Sequence, residues 1–261
     1  MIILGYISAA LIGISLGLIG GGGSILTVPV LVYLFGLSPI SATSYSLFIV
    51  GSTSFIGAVN NYRRGFVDVP TALLFGSSSI TTVFLTRKFI IPIIPHHIAT
   101  IGSWHISFPL LTMLLFALLM LLASYSMIRN KKPTRQQPLK SRSLLLLYGV
   151  LIGVVTGFLG AGGGFLLIPA LVFLVGLPMR KAIGTSLLII ALNSLIGFLG
   201  DLTHFDIDWT LLTILSSIAI TGIFIGGWLG RKIPGEKLKK GFGWFVLLMG
   251  LYIITREVLL R

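Results

Sequence analysis

The sequence lacks cysteine and contains few charged residues. Without cysteine the chain can form no disulfide, no thiolate metal site and no thiol nucleophile. Charged residues make up 10% of the chain, against roughly 25% in a typical soluble domain. Long apolar runs separate them, and several approach the roughly 20 residues with which a helix crosses a bilayer. Because these runs are continuous rather than alternating, the sequence predicts an all-α polytopic membrane protein.

Acidic residues are scarce as well, and none lies at the centre of a predicted span. All of them lie at or beyond the ends of apolar segments: Asp68, Asp201, Asp206, Asp208, Glu236 and Glu257. Cation carriers and proton relays normally keep an ionisable acid inside the membrane. The distribution of acids therefore favours an anionic or neutral substrate.

Motifs for catalysis, cofactors and metals are missing from the sequence. The run Gly20–Gly23 is not followed by the Lys-Ser/Thr pair of a phosphate-binding loop. Of the four histidines, His96, His97, His105 and His204, the first two are adjacent, which places them on different helix faces, and no acidic residue stands at metal-ligand spacing from this pair. We therefore expect no enzymatic activity, no cofactor and no metal site.

The net charge of +13 has a topological interpretation. The basic residues lie at the ends of apolar segments and in the polar stretch 129–143, where they act as positive-inside signals rather than as a nucleic-acid surface. With 129–143 in the cytoplasm, most Lys and Arg fall inside and both termini fall outside. Arg63, Arg64, Arg180 and Lys181 then lie at inner segment ends, and topology anchoring is favoured there over ligand contact.

The two halves of the chain repeat the same pattern. Residues 12–37 (IGISLGLIGGGGSILTVPVLVYLFGL) resemble residues 152–177 (IGVVTGFLGAGGGFLLIPALVFLVGL), and at this offset of 140 residues Gly20 aligns with Gly160. Duplication with interrupted apolar segments at corresponding places is typical of secondary transporters and indicates their binding sites.

The basic linker 129–143 divides the chain into a first repeat, 1–128, and a second repeat, 144–261. Each repeat contains about five helical segments, and this odd number predicts that the second repeat is inverted relative to the first. The short segments 24–36 and 164–177 would span only about 20 Å as helices. Four spans and one re-entrant hairpin per repeat is therefore an alternative to five spans.

The two glycine runs, 20–23 and 160–164, predict a binding site. Unwound backbone inside a membrane leaves N–H and C=O groups that cost several kcal/mol each unless protein, water or a ligand satisfies them. Each run also precedes a helix whose free N–H groups and positive dipole end attract an anion. Close helix packing is the alternative role for such glycines; for these two runs we favour the role of lining a cavity.

Hydroxyl and amide side chains recur beside the glycine runs at the same offset. Ser46, for example, aligns with Ser186. The predicted substrate-binding residues are Gly20, Gly21, Gly22, Gly23, Ser24, Ser44, Ser46, Gly160, Gly162, Gly163, Gly164, Thr185, Ser186 and Asn193. The expected partners are a small anion and the lipid bilayer, while a coupling proton or ion and the oligomeric state stay open.

Four segments carry a resemblance to a known family: GLIGGGGSILTVPVL at 17–31, NNYRRGFVDV at 60–69, GFLGAGGGFLLIPAL at 157–171 and KAIGTSL at 181–187. With them the chain resembles the TauE/SafE family of sulfite and organosulfonate exporters over almost its whole length. The resemblance implies a two-repeat permease of the bacterial inner membrane that moves small sulfur-containing or carboxylate anions, often outward. SATSYSL at 41–47 departs from the pattern of its counterpart at 181–187.

The sequence therefore predicts a secondary transporter for sulfite, sulfonates or related oxyanions, a multi-pass protein of the bacterial inner membrane. Alternating access would occur around a midplane site at the glycine turns. Two other functions stay open at this point: a channel-like anion conductor, and a membrane subunit or scaffold that transports nothing.

Overall fold

The computed structural model describes residues 2–21, 23–95, 97–101, 104–129, 142–160, 162–202, 207–230 and 235–259. The first half contains α1 (Ile2–Ile19), α2 (Ser24–Phe35), α3 (Pro39–Arg63), α4 (Val69–Leu85), a π-helical segment (Thr86–Ile90), α5 (Ile91–Ile93), β1 (His97–Ile101), β2 (Trp104–Ser107) and α6 (Phe108–Ile128). The second half contains α7 (Arg142–Leu159), α8 (Gly164–Phe173), α9 (Met179–Asp201), α10 (Trp209–Leu229) and α11 (Gly235–Leu259).

The predicted all-α membrane fold is confirmed. Five of the described helical stretches are long and apolar enough to cross a membrane: Pro39–Arg63, Val69–Ile93, Phe108–Tyr125, Met179–Asp201 and Trp209–Leu229. Outside the helices, β1 and β2 form one short antiparallel hairpin. Most of the predicted linker, 130–141, lies outside the described residues, as do His96 and His204.

The helices α2 and α8 that follow the glycine runs are short. They contain 12 and 10 residues, which at about 1.5 Å per residue is too little to cross the hydrocarbon alone. Both are followed by a glycine with positive φ, Gly36 at 71° and Gly176 at 76°. In both, a backbone N–H beyond this glycine, that of Leu37 or Leu177, donates to a carbonyl six residues earlier, so the two short helices end with the same hydrogen bond.

Helices of one half pack on helices of the other through glycines. In the contact between α1 and α10, a Cβ on Gly13 would overlap the carbonyl oxygen of Ala219. In the contact between α7 and α4, a Cβ on Gly153 would lie 2.7 Å from the carbonyl oxygen of Ser79. At the offset of 140 residues, Gly153 corresponds to Gly13 and Ser79 corresponds to Ala219. The same packing therefore occurs twice, with the two halves exchanged.

The central helices α3 and α9 correspond to each other in the two halves, and they pack against each other in an antiparallel arrangement. Gly51 of α3 lies beside Leu195, whereas Gly57, further along the same helix, lies beside the earlier residue Leu187. The partner residue number falls as the number on α3 rises, so the two helices are antiparallel. Both are largely buried, and they place the two glycine turns near each other.

The packing of α1 on α10 predicts that Gly13→Ala destabilises the protein. The added methyl group overlaps a helix backbone, which cannot move as a flexible side chain would, and such overpacking costs about 1–3 kcal/mol. Thermal unfolding of the purified protein in detergent measures the effect. Gly241→Ala is the matched control because a Cβ there meets nothing within 4 Å; equal melting temperatures for the two variants would contradict this packing.

Candidate functional site

The two glycine turns touch each other through their backbones. A Cβ on Gly21 would lie 2.7 Å from the carbonyl carbon of Gly164, and a Cβ on Gly164 would lie 2.5 Å from the Cα of Gly21. Only hydrogen fits as a side chain at such distances. Gly22 of the predicted site lies outside the described residues.

Several turn glycines also adopt a backbone conformation that other residues rarely reach. Gly20 has φ 76°, and Gly160, Gly162 and Gly163 have φ between 63° and 67°, in the left-handed region that favours glycine. At these angles α1 and α7 end, and the chain changes direction before α2 and α8 begin. Glycine is therefore required twice here, for the bend and for the contact between the turns.

Neighbouring side chains cover both turns. Gly20 packs on Ile183, Gly160 packs on Thr43, and Gly162 packs on Ile190 and Val50. The described glycines of the predicted site are all buried. The structure therefore shows the turns in a closed arrangement, in which these neighbours fill the space around them.

Polar side chains of the predicted site connect separate segments at this centre. The Ser186 hydroxyl donates to the carbonyl oxygen of Gly20 at 2.9 Å, and the Asn193 amide donates to the Ser79 hydroxyl at 2.7 Å. The Thr185 hydroxyl accepts from the backbone N–H of Asp68 at 2.9 Å. The Ser24 hydroxyl bonds within its own turn, to the carbonyl oxygen of Gly21 at 2.7 Å. These residues of the predicted site therefore lie together, around the helix crossing.

Other polar atoms of α3, α7 and α9 are buried and have no hydrogen-bond partner among the described residues. They are the hydroxyls of Ser44, Ser46, Thr53, Ser54, Thr156 and Ser194 and the amide oxygen of Asn193. A buried polar group without a partner costs about 1–3 kcal/mol, so a cluster of them usually indicates a functional role or bound water. Ser194 places its hydroxyl 3.0 Å from the Cβ position of Gly162, which brings this polar cluster against the second turn.

An open cavity of about 450 Å³ lies next to the first turn. Its walls are the adjoining ends of α1, α3, α9 and α10, and the described residues that line it include no acid. Arg64 and Arg180 stand at it together with the amides of Asn60 and Asn61. Ile183 belongs to the lining and also covers Gly20, so the cavity ends against the first turn.

The cavity changes the interpretation of two arginines. The sequence favoured Arg64 and Arg180 as topology anchors, whereas the structure places both in the cavity lining. Asn60 and Asn61 were not predicted as site residues at all. The available signal was NNYRR at 60–64, a polar cluster at the end of an otherwise apolar segment.

The opposite ends of the same helices contain a buried ion pair that the sequence did not predict. The Arg87 guanidinium donates from Nη1 to Asp201 Oδ2 at 3.0 Å and to the Thr43 hydroxyl at 3.1 Å. Arg87 is only 1% exposed and Asp201 is fully buried. Asp201 does lie at a segment end, as predicted, since it is the last residue of α9. The segment end, however, is packed against another helix instead of solvent.

The comparisons with known proteins agree with a membrane transporter. The family described as "Sulfite exporter TauE/SafE" matches residues 6–253. A "Probable membrane transporter protein" of Xylella fastidiosa (strain 9a5c) is 32% identical over 258 residues, covering 96% of this chain and 94% of the relative. "Probable membrane transporter protein YdhB" of Bacillus subtilis (strain 168) is 26% identical over 246 residues, covering 94% of this chain and 96% of that protein.

Because the chain has no native cysteine, the cavity can be tested with single introduced thiols. Arg64 and Arg180, which line the cavity, are predicted at the inner segment ends, on the same face as the linker. We therefore expect Asn60→Cys, which also lines the cavity, to react with a membrane-impermeant maleimide applied from the face of the linker. Ser46→Cys, in the fully buried centre, should stay unreactive. Labelling of inside-out and right-side-out vesicles measures this, and reaction of Asn60→Cys only from the face opposite the linker would contradict the assigned opening.

Proposed function

The chain belongs to the sulfite exporter TauE/SafE family of membrane transporters, and on this premise we propose that it is a secondary transporter for small oxyanions. The proposed substrates are sulfite, sulfonates and related sulfur oxyanions, and the proposed direction is export across a bacterial inner membrane. The observation that carries the proposal is the cavity that presents Arg64 and Arg180 without an acid and ends at a glycine turn.

Charge is the first argument for an anion. Two guanidinium groups at one cavity attract anions, and low-dielectric walls strengthen this attraction. The neighbouring amides of Asn60 and Asn61 can donate hydrogen bonds to oxygens of the solute. The cavity can therefore collect oxyanions and bring them to the first turn.

The helix packing supports alternating access between inverted repeats. Corresponding helices α3 and α9 are antiparallel, and α1 pairs with α10 as α7 pairs with α4. A two-fold axis perpendicular to α3 and α9 relates such an arrangement, and this axis lies in the membrane plane when both helices span the bilayer. We infer that residues 1–128 and 144–261 form the two inverted repeats and that they rock against each other.

The chain path supports the assigned orientation. α4 follows Arg64 in the chain and would cross the membrane away from the face on which Arg64 lies. α6 would cross back to that face, where the basic linker 129–143 begins. The cavity and the linker then share one face, which the positive-inside rule places in the cytoplasm. The termini would lie outside, and the cavity would be the cytoplasmic entry for an exported anion.

The buried polar cluster at the turns supplies the central site of the proposal. When the repeats separate, backbone N–H groups within 20–24 and 160–164 would bind the anion, together with Ser44, Ser46, Thr185, Ser186 and Asn193. The N–H groups of Gly20 and Gly160 are not among these donors, because they donate to Leu16 and Thr156 inside their own helices. The unpartnered hydroxyls of Ser44 and Ser46 would then receive hydrogen-bond partners. In the closed arrangement that the structure shows, the two turns instead contact each other.

Transport by reconstituted protein tests the proposal directly. We expect saturable sulfite flux into or out of liposomes, and a KM raised about tenfold in Arg64→Gln and in Arg180→Gln because each loses an attracting charge at the cavity. This increase in KM should be smaller at high ionic strength, where salt screens the charges. Arg63→Gln, which removes the same charge beside the cavity lining, is the matched control.

Unsaturable flux proportional to voltage would instead identify a channel-like conductor, and no flux of any tested sulfite, sulfonate or sulfate would contradict the proposed function. An equal KM for Arg63→Gln and Arg64→Gln would remove Arg64 from the entry site.

The second glycine turn is tested by Gly162→Val. This change strains a backbone with φ 63° and places a methyl-bearing Cβ 2.8 Å from Ile190, so flux should fall to near background while the protein still inserts in the membrane. Gly65→Val is the matched control, since Gly65 has φ 72° and open space around its Cβ position. Normal flux in Gly162→Val would show that the turn plays no part in transport.

A further inference from the structure

The buried ion pair occupies the positions that correspond, at the offset of 140 residues, to the lining of the open cavity. Gly227, Asn61 and Ile183 line the cavity. Their counterparts are Arg87, Asp201 and Thr43, at the opposite helix ends, where Arg87 donates hydrogen bonds to both of the others. The same three positions are thus open on one face and joined on the other.

The exchange of glycine for arginine accounts for this difference. A Cβ on Gly227 would meet nothing within 4 Å, whereas the Cβ of Arg87 lies 3.2 Å from the Cβ position of Gly200. The long side chain of Arg87 fills the space whose counterpart is empty beside Gly227. Asp201, where the other face has the neutral Asn61, supplies the opposite charge that holds the guanidinium there.

The guanidinium has unused hydrogen-bond donors. Nε and Nη2 of Arg87 are buried and have no acceptor among the described residues, while Nη1 serves both Asp201 and Thr43. Leaving charged donors buried without partners is costly. An arginine edge formed by Nε and one terminal nitrogen is also the geometry that binds two oxygens of one oxyanion.

We propose that Arg87 is a second oxyanion-binding residue, at the end of the transport path opposite the cavity, and that Asp201 holds it closed in this structure. A sulfonate or sulfite that reaches it from the centre binds the Nε–Nη2 edge, which Asp201 does not use. The negative charge of this anion neutralises the guanidinium and repels the Asp201 carboxylate, so that the bond between Asp201 and Nη1 is weakened. Once Asp201 is released, α9 and the Thr86–Ile90 segment separate and the outer face opens. This inference rests on the proposed alternating access.

The test uses a thiol that only an open outer face exposes. Val83 is fully buried and corresponds to Ile223, which lines the cavity; Val83→Cys is therefore the reporter and Ile223→Cys its matched control. An impermeant maleimide is applied from the face opposite the linker, with methanesulfonate as the anion because sulfite itself reacts with maleimides. We expect methanesulfonate to increase labelling of Val83→Cys several-fold and to leave Ile223→Cys unlabelled from that face.

Substitutions in the Val83→Cys background separate binding from packing. Arg87→Lys keeps the charge and loses the two-nitrogen edge, so the half-saturating methanesulfonate concentration should rise roughly tenfold, the equivalent of one charge-assisted hydrogen bond. Asp201→Asn should increase labelling without any anion. The double variant Arg87→Gln/Asp201→Asn leaves no unpaired buried charge and should label strongly and independently of methanesulfonate.

Each outcome decides the proposal. Labelling of Val83→Cys that ignores methanesulfonate, or an unchanged half-saturating concentration in Arg87→Lys, would show that the ion pair only joins two helices. If Asp201→Asn fails to insert, the double variant replaces it as the test of the closing contact, and Arg87→Lys still tests anion binding. Anion-dependent labelling without flux in liposomes would refute the proposed transport but leave the Arg87 site, so the two failures are distinguishable.

Discussion

The structure depends on the contact between the two glycine turns in the middle of the protein. Inside a membrane each backbone N–H and C=O must find a partner, which normally keeps chains helical. Here two helices are interrupted, and the interrupted backbones lie against each other, with Gly21 on Gly164. Only glycine permits both this approach and the left-handed angles of the bends.

The glycine contact accounts for the placement of the polar residues. Ser186 bonds to the first turn and Ser194 lies against the second, and several buried hydroxyls of α3 and α9 have no partner among the described residues. Such groups are expensive in an apolar protein. A hydroxyl such as that of Ser194, which lies beside Gly162 of the second turn, agrees with the proposed site, which closes in one state and binds a polar solute in another.

The two ends of the central helices differ. At one end the adjoining helix ends leave a cavity with arginines and amides; at the other, Arg87 and Asp201 fill the equivalent space. Equivalent positions in a duplicated chain need not hold equivalent residues, and here a glycine on one side corresponds to an arginine on the other. This difference in volume and charge makes one end open and the opposite end closed in a single structure.

Composition and repetition by themselves determined the membrane class, the helical fold and the position of both turns, because hydrophobic length and glycine content are properties of the local sequence on which the bilayer acts directly. The family followed from four local motifs, at 17–31, 60–69, 157–171 and 181–187. The same reasoning included Ser186 and Asn193 in the predicted site, and the structure shows both in hydrogen bonds that connect separate segments. Only the tertiary structure decided which polar residues meet. Arg64 and Arg180 line the same cavity, and Arg87 pairs with Asp201, which lies 114 residues later in the chain. Such contacts depend on how distant helices cross and not on the neighbours of each residue in the chain.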